Sequence, residues 1–242
     1  LKKQVEEYLD EVKRIADNIN IEDIARVVVI LYEVWAKRGD VYILGNGGSA
    51  STASHFTSDL CKLGVQAYCL NDNMAQMTAL TNDVGWDNVF LNQLAYKWSR
   101  NDALICISVH GGVGEDEVGQ WSQNITRAID YVKRYGGKVI GLVGFDGGAV
   151  RKEADASIVV GNSTPQVESW HLHICHLICE ILKGFKPVRS CADCGFIHDG
   201  VVCSKCGGVH YSHTKGIKGN IEDVRKIYDP PMEYNDNSKS SS

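Results

Sequence analysis

The sequence lacks any apolar run near the roughly 20 residues that a membrane-spanning helix needs. Its first residues, Leu1-Lys2-Lys3-Gln4-Val5-Glu6-Glu7, carry acids and no apolar core, so no secretory signal is visible in them. An excess of basic charge is also missing. The net charge is -5, and residues 184–242 hold eight basic and seven acidic side chains. Neither part of the chain is basic enough to argue for nucleic acid as a partner. Two familiar phosphate motifs, G-x-G-x-x-G and G-x-x-x-x-G-K-[ST], are absent at the glycine-rich loop discussed below, which argues against a dinucleotide or P-loop site there. No internal repeat is present.

What is there is ordinary in bulk. Hydrophobic residues make up 44% and charged residues 23% of 242 positions, which suits one sizeable domain plus a small one. The nine cysteines fall into two groups. Cys61, Cys69, Cys106, Cys175 and Cys179 are scattered through apolar or helical stretches. Cys191, Cys194, Cys203 and Cys206 form two C-x-x-C pairs eight residues apart. Scattered thiols beside a paired cluster point to a reducing, cytoplasmic setting with a metal site. Four thiolates in two knuckles complete a tetrahedral structural Zn²⁺ site. With so little apolar content, residues 184–213 are expected to need that metal to fold. His198 and His210 lie nearby but are not counted among the expected ligands.

The first 183 residues alternate between helix and strand patterns. Residues 1–38 read as two helices, the second opening at Ile21-Glu22-Asp23 with an apolar face through Ile24, Val27, Val28 and Leu31. Val41–Leu44, Ala67–Leu70, Ala103–Ser108, Lys138–Val143 and Ala156–Val160 read as buried strands, and residues 50–62, 125–135 and 166–182 as helices. The alternation predicts an α/β fold with an open parallel sheet flanked by helices. Ligands in such sheets bind at the carboxyl ends of strands. Gly184–Pro187 reads as a linker, and residues 214–242 as a polar, partly disordered tail.

One of those strand ends carries Gly45-Asn46-Gly47-Gly48-Ser49. Glycines let backbone approach an anion, and a following helix aims unpaired N–H groups at it. A tight turn in which Ser49 or Ser51 caps the helix is the alternative. The run from Gly45 to Phe56 (GNGGSASTASHF) resembles the SIS, or sugar isomerase, domain of bacterial phosphoheptose isomerases. Thr81–Trp86 is similar to that family's Asn-Asp-x-Gly segment, Val139–Gly148 to its strand and Gly-Gly turn, and Glu168–Ile181 to its final helix. The resemblance covers residues 1–183.

It implies a flavodoxin-like parallel sheet, a homotetramer (a dimer is the alternative), and conversion of sedoheptulose 7-phosphate to a heptose 7-phosphate. Matched by position, substrate contacts fall on Asn46, Gly47, Gly48, Asn82, Asp83 and Ser108; Ser49, Val109, His110 and Glu168 are added as candidate substrate contacts beside them. Zinc ligands fall on His55, Asp59, Glu168 and His176, and acid–base chemistry on Asp59 and His176, with Asp83 assisting. Those residue types suit the chemistry. His55 and Asp59 are i and i+4 on one helix face. Glu168 and His176 are eight apart, so both can face one cleft. His171 and His173 are expected to face solvent. Two His and two carboxylates suit a divalent metal, which stabilises an enediolate while a base moves a proton between carbons.

The match departs from the family in three places. Asp59 replaces Glu, Glu168 replaces Gln, and Ser108-Val109-His110-Gly111-Gly112-Val113-Gly114 replaces a hydroxyl-rich phosphate loop. A non-catalytic module that binds a sugar phosphate, a nucleotide sugar or a protein is therefore the competing function. For the cysteine-rich segment, subunit contact or a lid is expected.

Overall fold

The computed structural model describes residues 1–112, 121–185, 187–194, 197–198, 204–207 and 211–217. Five parallel strands, β1 (Val41–Gly45), β2 (Ala67–Cys69), β3 (Ala103–Ser108), β4 (Lys138–Val143) and β5 (Ala156–Val159), form one sheet in the order β2-β1-β3-β4-β5. This is the flavodoxin-like order. The strands are apolar on both faces because helices cover both, and β1 and β3 are buried at every position.

On one face lie α2 (Ile21–Ala36), α3 (Gly48–Leu63) and α8 (Thr164–Gly184), packing Val27, Phe56, Leu60 and Ile178 against Ile43, Ile105 and Ile140. On the other lie α4 (Met74–Val84), α5 (Val89–Ala95), α6 (Gln123–Tyr135) and the short α7 (Gly148–Glu153), packing Met77, Phe90, Ile129 and Val150 against Tyr42, Leu104 and Val139. α1 (Lys2–Asp17) buries only Ile15 among its residues. α2 starts where the Asn20 side chain accepts the N–H groups of Glu22 and Asp23, with both acids in the first turn favoured by the helix dipole.

The chain moves from β1 outward to β2, then returns to lay β3 on the other side of β1. The order reverses between β1 and β3, so the loops at the carboxyl ends of those strands flank a crevice.

Two features depart from the sequence reading. Residues 71–102 contain α4, a short 3-10 turn (Trp86–Asn88) and α5, where only a motif had been read. The start of α4 is marked by Asn73, whose side chain accepts the Gln76 N–H. Regular structure reaches both ends of the stretch read as a linker: Gly184 ends α8 and Pro187 opens β6 (Pro187–Cys191), with Lys186 outside the described residues. β6 pairs antiparallel with β7 (Ile197–His198) and β8 (Tyr211–Ile217). β8 crosses the 213/214 boundary drawn from composition. The rest of the tail, residues 218–242, lies outside the described residues.

Candidate functional site

The glycine loop is built by steric necessity. A Cβ on Gly45 would lie 2.6 Å from the Ser49 carbonyl, so only glycine lets the chain leave β1 and turn into α3 there. Gly47 adopts φ +57, the left-handed region open to glycine. Asn71, just past β2, brackets Gly45: its Nδ2 donates to the Gly45 carbonyl at 2.9 Å, and its Oδ1 accepts the Gly45 N–H at 3.2 Å. No side chain caps α3, so the capping role weighed for Ser49 and Ser51 is not seen; Ser49 is buried and Ser51 exposed.

Asn46 is held across the crevice. Its Nδ2 donates to Asn124 Oδ1 at 3.1 Å, and its Oδ1 accepts from Asn124 Nδ2 at 2.9 Å. A longer bond reaches Ser122 Oγ at 3.4 Å. Asn124 is fully buried at the start of α6, so this amide pair ties the β1 loop to the segment that follows β3.

Two helix turns into α3, His55 and Asp59 meet His176 from α8. Asp59 Oδ2 lies 3.2 Å from His55 Nε2 and 3.4 Å from His176 Nδ1, and the two imidazoles meet edge to face at 5.2 Å. The ligand atoms of all three lie within 4.8 Å of one another. Asp59 is the shielded member: its side chain is 16% exposed, against 49% for His55 and 53% for His176. The other carboxylate oxygen, Oδ1, accepts from Lys62 Nζ at 2.8 Å. That bond is the main reason the Asp59 carboxyl is held below its usual pKa; burial opposes it, and the charge of Lys62 and the two imidazoles help. Beside the cluster an open cleft of about 570 Å³ is lined by Ser51, Ser54, His55, Ser58, Asn71 and Asp72, among others.

Glu168 is not brought into this cluster. Its carboxylate lies against Gly48, close enough that a Cβ there would sit 2.5 Å from Oε1. Asn82 and Asp83 are exposed at the end of α4, where Asn82 Nδ2 donates to Asp83 Oδ1 at 2.9 Å, and the Asp83 carboxylate is not part of the cluster.

At the end of β3, Ser108 is buried and its Oγ accepts the Gly111 N–H at 3.0 Å, while the Val109 carbonyl accepts from Gly144 N–H at 3.0 Å. His110 is exposed, its ring 4.4 Å from that of Phe145 and 5.9 Å from that of Trp121.

His171 does not face solvent. It is 1% exposed, neither ring nitrogen makes a hydrogen bond, and burial pushes its pKa down to about 4; the Val143 backbone offsets this only in part, from a geometry short of a hydrogen bond. The position lies on the apolar stripe of α8 with Val167, Ile174 and Ile178, a periodicity that foretold burial. His173 is exposed and packs on Trp170 at 5.2 Å.

In the cysteine-rich segment the sulfurs of Cys191, Cys194 and Cys206 lie within 4.8 Å of one another, with Cys191 and Cys206 at 3.6 Å and not disulfide-bonded. Cys203 lies outside the described residues. Among the described residues no helix is long and apolar enough to cross a membrane.

A family model described as the SIS domain matches residues 7–144. The chain belongs to the SIS-domain family. Within it, this SIS domain is 33% identical over 196 residues to a phosphoheptose isomerase of Sulfurimonas denitrificans, an alignment covering 76% of the chain and 93% of that protein. It is 39% identical over 163 residues to the lincomycin biosynthesis protein LmbN of Streptomyces lincolnensis, covering 62% of the chain but only 58% of that longer protein. The solved phosphoheptose isomerase GmhA from Neisseria gonorrhoeae superposes with a TM-score of 0.66 at 25% identity, over 75% of this chain and 98% of that one.

Sequence reasoning missed three residues that shape the SIS site. Lys62 was signalled by its i+3 spacing from Asp59 on one helix. Asn71 and Asn124 carried no signal in a single sequence, since each acts on a residue distant along the chain.

Proposed function

We propose that this SIS domain is a metal-dependent aldose–ketose isomerase of sugar phosphates, with sedoheptulose 7-phosphate to a heptose 7-phosphate as its reaction. The observation that carries the reading is the convergence of His55, Asp59 and His176 from two helices onto one point. The isomerase names of relatives that align over most of their length support it over a non-catalytic module.

Two imidazoles and a carboxylate beside an open cleft fit Zn²⁺. Such an ion supplies Lewis-acid polarisation of the substrate carbonyl. The chain's own residues do the rest. Isomerisation takes a proton from the carbon beside the carbonyl and returns one to the former carbonyl carbon. Lys62 holds Asp59 charged and leaves it a weak base. The half-exposed His176 imidazole, across from Asp59, is assigned the proton transfer between the carbons. Asp83 stands outside the cluster as the group available for a second proton. Asn82, Ser108, Val109, His110 and the Gly47–Ser49 loop are proposed as substrate contacts. Asn46 is assigned to hold that loop by its amide pair with Asn124. Glu168 is assigned to the glycine loop in place of the zinc.

A structural Zn²⁺ on Cys191, Cys194, Cys203 and Cys206 is proposed on the three thiols that already converge. Free thiols in both groups support a cytoplasmic setting. We assign a homotetramer, supported by α1, which leaves Val5, Tyr8 and Leu9 about half exposed on one face for a second copy to cover. The domain limits stay at 1–183 for the SIS domain, followed by the cysteine-rich segment, now extended through β8, and the tail.

The test is to incubate zinc-replete protein with sedoheptulose 7-phosphate and follow aldose formation beside His176→Ala. Turnover that is lost in the variant supports the reading. Absence of turnover with this and other ketose phosphates overturns it.

A further inference from the structure

The crevice carries a second feature beyond the proton transfer, built around one of the proposed substrate contacts. His110, at the carboxyl end of β3, sits between Phe145, at the carboxyl end of β4, and Trp121, just ahead of α6. The His110 and Phe145 rings are tilted by 33° at 4.4 Å, and Trp121 meets His110 at 65°. Trp121 is 63% exposed and Phe145 is 37% exposed. Large aromatic rings left in water together mark a binding surface more than a folding one.

Their position ties them to the site. Trp121 adjoins Ser122, which Asn46 of the glycine loop reaches at 3.4 Å. The rings therefore continue the same rim that starts at Gly45. Phe145 holds φ +54, a region a bulky side chain rarely adopts, and its N–H is fixed to the Gly161 carbonyl at 2.9 Å. This backbone, kept against local strain, holds the exposed ring against His110. The chemistry on offer is stacking. The hydroxyl of the loop, Ser108 Oγ, is buried beneath it and engaged with Gly111.

We propose that His110, Trp121 and Phe145 form a stacking subsite for the C–H face of the sugar in its ring form. Aromatic faces carry partial negative charge and attract the polarised C–H groups of a pyranose or furanose. The subsite selects for the carbohydrate part of the substrate, and the glycine loop lies at its edge. This rests on the sugar-phosphate reading above.

The test is calorimetric titration of the full chain and of Trp121→Ala, Phe145→Ala and Trp121→Phe, each checked for an unchanged circular dichroism spectrum. The ligands are sedoheptulose 7-phosphate, glycerol 3-phosphate, which has no ring, and GDP. The alanine variants are expected to bind sedoheptulose 7-phosphate about three- to tenfold more weakly. Trp121→Phe should recover most of that loss, and glycerol 3-phosphate should bind all forms alike. Equal loss for both phosphates, or none, overturns the subsite. GDP binding that depends on the rings and exceeds that of the sugar phosphate also overturns it, in favour of a nucleobase. Failure of the unaltered chain to bind any sugar phosphate strikes the isomerase reading itself, a result distinct from normal binding that ignores the rings.

Discussion

Glu168 lays its carboxylate against Gly48 at the first turn of α3, where the glycine's missing side chain makes the room. An acid thus stands at the helix end best suited to receive an anion. The glycine loop is a cradle whose electrostatic welcome for phosphate is partly spent on its own chain.

Replacing Glu168 by Gln keeps the shape and removes that charge. Binding of a sugar phosphate should tighten by about three- to tenfold, from a change of roughly 1 kcal/mol in a partly exposed site. Calorimetry with the variant reads this directly. Unchanged or weaker affinity would place the phosphate away from α3.

The Asn46–Asn124 pair should couple strongly. Asn46→Ala leaves the buried Asn124 amide without this partner, which costs about 1–3 kcal/mol, and Asn124→Ala should cost less because Asn46 is only half-buried. The double change should cost clearly less than the sum of the two, as measured by denaturant unfolding in a double-mutant cycle. Strict additivity would mean that the two amides do not depend on each other.

His171 gives a pH signature. Its pKa is about 4 in the fold, against about 6.5 for an unperturbed imidazole. Above the unfolded value both states are neutral and the group costs nothing. As pH falls below about 6.5, only the unfolded chain takes the proton, so stability declines by up to about 1.4 kcal/mol per pH unit until the folded value is reached. His171→Phe should flatten the thermal midpoint between about pH 6.5 and 4. Parallel profiles for the two proteins would show that other groups dominate.

Metal content separates the two clusters. Elemental analysis should find about two zinc per chain, falling by about one in Asp59→Ala and, independently, in Cys206→Ser. A single zinc that survives Asp59→Ala would leave only the cysteine site.

Much of this architecture was legible because it rests on local pattern. The apolar runs at Val41, Ala103 and Lys138 could be little but buried strands, and GNGGS after the first of them set the site at a strand end. His55 and Asp59 were picked out by the family resemblance, and helical spacing put them on one face. What stayed illegible depends on contacts between distant segments. No spacing rule says that Glu168 packs on Gly48 and not beside His176; the pitch of α8 allowed both. His171 was misplaced because a histidine's polarity was weighed above the apolar stripe it occupies. The helix from Met74 went unread because its apolar face is weak, leaving Asn73 as its clearest mark. Beyond Lys183, turns and short antiparallel strands left little periodicity to read.

The backs of the β3 and β4 loops are interlocked. A Cβ on Gly111 would sit 1.8 Å from the Gly147 carbonyl oxygen, one on Gly148 would strike the carbonyls of His110 and Gly112 at 2.4 and 2.3 Å, and the Val150 N–H closes the joint on the Gly111 carbonyl at 2.8 Å. At Gly111 and Gly148 neither loop can take a side chain without moving the other. The rings of His110 and Phe145 are therefore mounted on a single stiff piece of backbone. A ligand meeting that edge finds it already assembled and gives up little affinity to ordering it. Variation in this enzyme's specificity should then come through exchange of the rings themselves, on a hinge that does not bend.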